Sequence, residues 1–173
     1  MIELKIKEGV TVEIKGNEVE TKGSLGSNKR KFNDALLKLT KKGDSITIDS
    51  IKDKVLAKKA AKAEVSFKKE LENDMHGVTE HFERKMKTVF AHFPITVEVK
   101  GSDVLIKNLI GERYPRTSKI VGATKVEVKG QNLRIYGTSL DDVTQTSANI
   151  RQVCKMKNKD TRVFQDGLYY DTD

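Results

Sequence analysis

Few residues of this chain could do covalent or acid–base chemistry. The histidines are His76, His81 and His92, and the one cysteine is Cys154. Two groups share a helix face when they stand three or four residues apart. His76 and His81 are five apart, and no H-E-x-x-H pattern occurs. His92 stands beside Phe93 and Pro94 and reads as a surface or helix-end residue. A nucleophilic Cys154 would need a neighbouring base, and the sequence nominates none. Between Val153 and Lys155, in an expected helix, it reads as a buried thiol. Gly23-x-x-Gly26 is too short for a phosphate-binding loop and lacks the Lys-Ser/Thr ending. Asp141 and Asp142 are adjacent, so they point different ways on a helix and suit its start. No catalytic residue, no metal site and no cofactor is expected.

The basic residues carry a stronger signal. The formal net charge is +8, which favours a polyanionic partner. Lys107 to Arg134 holds seven Lys or Arg against two acids, and Arg151 to Val163 holds five against one. The loop Arg113-Tyr114-Pro115-Arg116-Thr117-Ser118-Lys119 combines cations, hydroxyls and an aromatic ring. Such groups can meet phosphate, sugar or an unstacked base. Lys155 belongs to the second basic run. The expected long helix also carries Lys54, Lys58, Lys59, Lys62, Lys68 and Lys69, but Glu64, Glu70 and Glu72 interleave with them, as on a solvated face. Aromatic sheet motifs of the RNP type are absent, so RNA would be met through loops, phosphates and shape.

The elements that must position these residues follow from periodicity. Val12 to Val19 reads VEIKGNEV, and Val97 to Val104 reads VEVKGSDV, 85 residues later without a gap. A second turn recurs at an offset of 87, Lys42-Gly43-Asp44-Ser45 against Lys129-Gly130-Gln131-Asn132. The chain therefore holds two copies of one unit: hairpin, basic loop, second turn, strand and helix. The fold class expected is α+β, with two duplicated domains, each a small antiparallel sheet with a helix packed on one face. The first domain spans 1–92, and the second, which holds both basic runs, spans 93–173 and should fold alone. Leu56, Ala60, Ala63, Phe67, Leu71, Met75, Val78, Phe82, Met86 and Val89 step by three or four, which predicts one long helix closed by Pro94. Lys29-Arg30-Lys31 reads as a basic loop, 140–157 as the second helix, and Arg162–Phe164 and Leu168–Tyr170 as closing strands. A single cysteine suits a reducing setting. No apolar run reaches the roughly 20 residues of a membrane span, and the alternating, charged start MIELKIKEGV is no signal peptide.

Three runs carry a family resemblance. Asn73-Asp74-Met75-His76-Gly77-Val78-Thr79-Glu80-His81-Phe82 resembles the helix signature of the ribosomal protein L-six family, where G-V-T-x-G-F is typical; His81 departs from the glycine. Ala91-His92-Phe93-Pro94 resembles its archaeal and eukaryotic inter-domain segment. Lys159 to Tyr169, KDTRVFQDGLY, resembles the archaeal-type closing motif R-x-F-x-D-G-[IL]-Y. The resemblance implies a cytoplasmic structural protein of the large ribosomal subunit. Its partners would be large-subunit rRNA near the sarcin–ricin loop, neighbouring large-subunit proteins and, close by, translation factors; no membrane is implied. Carried onto this sequence, the binding loop is Gly111 to Lys119, and the C-terminal motif supplies Lys157, Lys159 and Arg162. The family often continues into a basic tail, whereas this chain ends Tyr170-Asp171-Thr172-Asp173. A free-standing RNA- or DNA-binding regulator on the same duplicated fold is the alternative.

Overall fold

The computed structural model describes residues 2–50, 56–160 and 162–171; Lys54, Thr161, Thr172 and Asp173 lie outside them. The chain divides into two compact units, Met1–His81 and Phe82–Asp173.

The first unit runs β1 (Ile2–Lys5), β2 (Thr11–Lys15), β3 (Glu18–Gly23), β4 (Gly26–Lys31), β5 (Leu37–Lys42), β6 (Ser45–Ser50) and α1 (Ala57–Gly77). Its strands form two three-stranded antiparallel sheets, β2-β3-β4 and β1-β6-β5. Tight turns join β2 to β3 and β5 to β6, with Gly16 and Gly43 both at φ +58°. That left-handed backbone is open to glycine at little cost. Alternate residues Val12, Val19, Ile46 and Ile48 are buried against Phe67, Leu71 and Met75 of α1. Each such side chain contributes about 1.5–3 kcal/mol relative to exposure.

Two local devices finish α1. The Thr79 hydroxyl donates to the carbonyls of His76 (2.8 Å) and Met75 (3.3 Å), and the Glu80 N–H also donates to the His76 carbonyl at 2.8 Å. Val78 lies against Gly23, and its carbonyl accepts from the Leu25 N–H at 3.1 Å. A side chain at Gly23 would stand 2.7 Å from both Val78 Cγ2 and the Val78 carbonyl oxygen. Arg30 of β4 reaches across to α1. Its Nε and Nη2 donate to the two oxygens of Asp74 at 2.6 and 3.0 Å, and its Nη1 to Glu70 at 3.1 Å. The Asp74 side chain is 4% exposed, so this bidentate pairing answers a buried charge.

The second unit runs β7 (Phe82–Val89), β8 (Thr96–Lys100), β9 (Asp103–Lys107), β10 (Arg116–Lys119), β11 (Lys125–Lys129), β12 (Asn132–Gly137), α2 (Leu140–Cys154) and β13 (Gly167–Tyr170). Its sheets are β8-β9-β10 and the four-stranded β11-β12-β7-β13. The Ser139 hydroxyl accepts from the Asp142 N–H at 3.3 Å and caps α2, with Asp141 and Asp142 in the first turn. Val143, Ile150 and Cys154 of α2 pack with Met86, Leu133, Ile135 and Leu168.

The duplication holds to the level of register. Thr11 faces Lys22 and Lys15 faces Glu18 in the first hairpin; Thr96 faces Lys107 and Lys100 faces Asp103 in the second. Likewise Leu4 of β1 faces Ile46, and Met86 of β7 faces Leu133. Strand β7 therefore takes in the second unit the place that β1 takes in the first.

Several sequence expectations are corrected here. The long helix stops at Gly77, and Phe82, Met86 and Val89 lie on a strand. Their spacing fits a helix, but β7 pairs along both edges, with β12 and with β13. Non-local hydrogen bonding overrides an eight-residue periodicity. The second unit accordingly starts at Phe82 instead of Phe93. Lys29-Arg30-Lys31 is strand β4, not loop, and Arg116–Lys119 is strand β10. Helix α2 ends at Cys154, and of the two closing strands expected only the second, as β13, forms; Arg162–Phe164 is not a strand.

Two measurements check these assignments. A fragment of residues 82–173 should give a dispersed amide NMR spectrum, whereas 93–173, lacking β7, should give the collapsed spectrum of an unfolded chain. Gly23→Ala should lower stability in urea by about 1–3 kcal/mol, because Val78 and the end of α1 must shift.

Candidate nucleic-acid interface

In the second unit, β9 leads into a short 3-10 turn, Leu109–Gly111. Asn108, Ile110 and Gly111 there have φ of +59°, +50° and +73°. Left-handed backbone at a non-glycine residue costs about 1–3 kcal/mol, so other contacts must hold it. Leu109 is buried, the Asn108 side-chain amide donates to the Pro94 carbonyl at 3.1 Å, and Phe93 packs over Gly111. The loop beyond is thus presented from a fixed base. Arg113 is exposed, and Tyr114 is 80% exposed.

Arg116 organises the site. Its Nε donates to Glu112 at 2.8 Å, and its Nη1 donates to the carbonyls of Val153 (2.7 Å) and Lys155 (3.1 Å). Those carbonyls end α2, where the helix dipole favours a cation. The guanidinium holds the Glu112 carboxyl below its ordinary range, and Glu112 raises Arg116 in turn. One side chain therefore ties the Arg113 loop to the segment carrying Lys155, Lys157 and Lys159, which sequence spacing alone left apart.

The other candidates divide by exposure. Thr117 and Lys119 of β10 face solvent, whereas Ser118 between them is 2% exposed and faces the core. Strand alternation removes its hydroxyl from any surface contact. Arg116 is likewise committed inside the protein. Arg162 is exposed, but its guanidinium pairs with Asp160 at 2.9 Å and lowers that carboxyl's pKa. Arg113, Lys119, Lys155 and Lys157 are exposed and make no ion pair among the described residues. Sequence reasoning missed Arg84, Lys85 and Lys87, exposed on β7; the alternation in FERKMKTV was the available cue. Arg151, counted in the second basic run but not named there as a candidate contact, lies exposed near the end of α2.

Nothing nearby supplies covalent chemistry. Burial pushes the Cys154 thiol up to about 11, so it stays protonated at neutral pH. Among the described residues, no three His, Cys, Asp or Glu side chains gather to hold a metal ion, and no helix is long and apolar enough to cross a membrane.

The family model described as ribosomal protein L6 matches residues 93–167. The large ribosomal subunit protein uL6 of Methanobrevibacter smithii is 44% identical over 96% of this chain and 92% of its own length. That of Methanocella arvoryzae is 41% identical over 96% of this chain and 93% of its own. That of Haloarcula marismortui is 37% identical over 97% of this chain and 93% of its own. Identity at this level across both units, joined to a duplicated α+β fold, shows that the chain belongs to the ribosomal protein L6 family, in its archaeal form.

Proposed function

We infer that the chain is a structural, non-enzymatic protein of the large ribosomal subunit, binding large-subunit rRNA chiefly through its second unit. The observation that carries this reading is the Arg116 tie, which puts the exposed Arg113-Tyr114 loop beside Lys155 and Lys157. Cations without acidic partners can release counterions from packed phosphates. Tyr114 offers a ring on which an unpaired base can stack. By the family resemblance, the rRNA contacted lies near the sarcin–ricin loop and the region where translation factors dock, with other large-subunit proteins as neighbours. The place of work is then the cytoplasmic ribosome.

The experiment is a salt titration of binding to the large-subunit rRNA segment carrying the sarcin–ricin region, beside a shuffled RNA of equal length. Preference for the true segment should survive at physiological salt. Arg113→Ala with Lys155→Ala should weaken binding and lower the log–log salt slope by roughly 0.7–0.9 for each phosphate no longer neutralised. Lys58→Ala with Lys62→Ala, on α1, should do much less. Arg116→Ala should behave differently: it should weaken binding and also destabilise the protein by about 1–3 kcal/mol, because Glu112 and two helix-end carbonyls lose their donor. Equal binding to both RNAs, collapsing together as salt rises, would reduce the interaction to net charge.

A further inference from the structure

On the second unit, the last turn of α2, the segment after it and β13 enclose a cleft of about 770 Å³. That size lies within the range of small-molecule sites. Buried Cys154, Met156 and Leu168 make its floor. Its rim is aromatic and basic. Phe164 and Tyr169 line it and remain exposed, and the Tyr169 hydroxyl donates to the Gln165 carbonyl at 3.0 Å. Tyr170 also lines it, with the guanidinium carbons of Arg151 and Arg84 at 5.2 and 5.4 Å from the ring centroid. The ammonium of Lys159 sits 4.9 Å from the Phe164 centroid. The one acid in the lining, Asp166, already accepts from the Ala91 N–H at 3.1 Å.

These features ask for a flat unsaturated ring carrying negative charge. An apolar occupant would leave Arg151 and Lys155 facing it without a counter-charge. A lone phosphate would leave the aromatic walls unused. A nucleotide satisfies both: its base stacks on exposed rings, and its phosphate meets the cations. The position beside Lys155 and Lys157, which the Arg116 tie connects to the Arg113 loop, gives the flanking backbone a basic path.

We propose that this cleft receives a single unpaired nucleotide of the bound RNA, its base stacked against Phe164 and Tyr169 and its phosphate held by Arg151 and Lys155. The proposal rests on the RNA-binding reading above and adds to it a base-accepting subsite that contacts no duplex.

The test uses the full chain and the same rRNA segment. Ultraviolet cross-linking of the unaltered protein should place a cross-link at Phe164, Tyr169 or Tyr170, to a nucleotide that is unpaired in the RNA. Replacing that nucleotide by an abasic residue should weaken binding roughly tenfold, the scale of one base–aromatic stack. Phe164→Ala and Arg151→Gln should each weaken the intact RNA similarly and should make little further difference to the abasic RNA. Adenosine monophosphate alone, followed by tyrosine fluorescence, should bind only at millimolar concentration. If the unaltered protein fails to prefer the rRNA segment, the RNA-binding reading itself falls. If preference holds but cross-links fall elsewhere and the abasic RNA binds as well as the intact one, the subsite is overturned alone. Micromolar binding of adenosine monophosphate, with rRNA affinity unchanged in both variants, would overturn the RNA source in favour of a free nucleotide. Should either variant melt early, the cross-link and the abasic RNA decide with the unaltered protein.

Discussion

Each unit depends on one constraint: a small antiparallel sheet that faces water on one side must bury its other side under a helix. Two or three short strands are marginal by themselves. Here Ile46 and Ile48 lie under Leu71 and Met75 in one unit, and Leu133 and Ile135 lie with Val143 and Ile150 in the other. Strand alternation then leaves Arg134, between Leu133 and Ile135, outward in the second unit, whereas Thr47, between Ile46 and Ile48, stays buried in the first. The helix also fixes the edges of the arrangement. Gly23 lets Val78 approach, and Ser139 starts α2.

The two copies have used this scaffold differently. Val19 of β3 faces Arg30, and Val104 of β9, its equivalent, faces Ser118. At that inward position one unit carries an arginine locked to Asp74 and Glu70, and the other carries a small hydroxyl. The outward charges differ as well. In the first unit Glu20 stands among Lys15, Lys22 and Lys29, and Lys31 pairs with Glu18. Such exposed pairs add little stability, but they neutralise one another and leave a solvated sheet. In the second unit Arg113, Lys119, Lys155 and Lys157 make no ion pair among the described residues, and Arg116, paired with Glu112, is spent on holding the loop to α2.

Preorganisation links that charge to function. A loop that had to be ordered on binding would give up much of its interaction energy to entropy. The left-handed residues at 108, 110 and 111, braced by Leu109 and the Asn108 side chain, place the loop before any ligand arrives. A fixed base of this kind suits a structural protein of the large ribosomal subunit.

The sequence by itself determined the repeated hairpins, their turns and their register. These depend on residues a few positions apart: a turn that tolerates positive φ, flanked by alternating apolar side chains. It also determined the family, through motifs spread over the chain, and the basic character of the Arg113 region. Only the tertiary structure decided the state of Phe82–Val89, since its apolar spacing suits a helix and only pairing with β12 and β13 makes it a strand. The same holds for single side chains. Ser118 faces inward because β10 pairs with β9, and Arg116 becomes a tie because α2 ends beside it. Both outcomes turn on partners well separated along the chain, and local propensity carries no information about contacts at that separation.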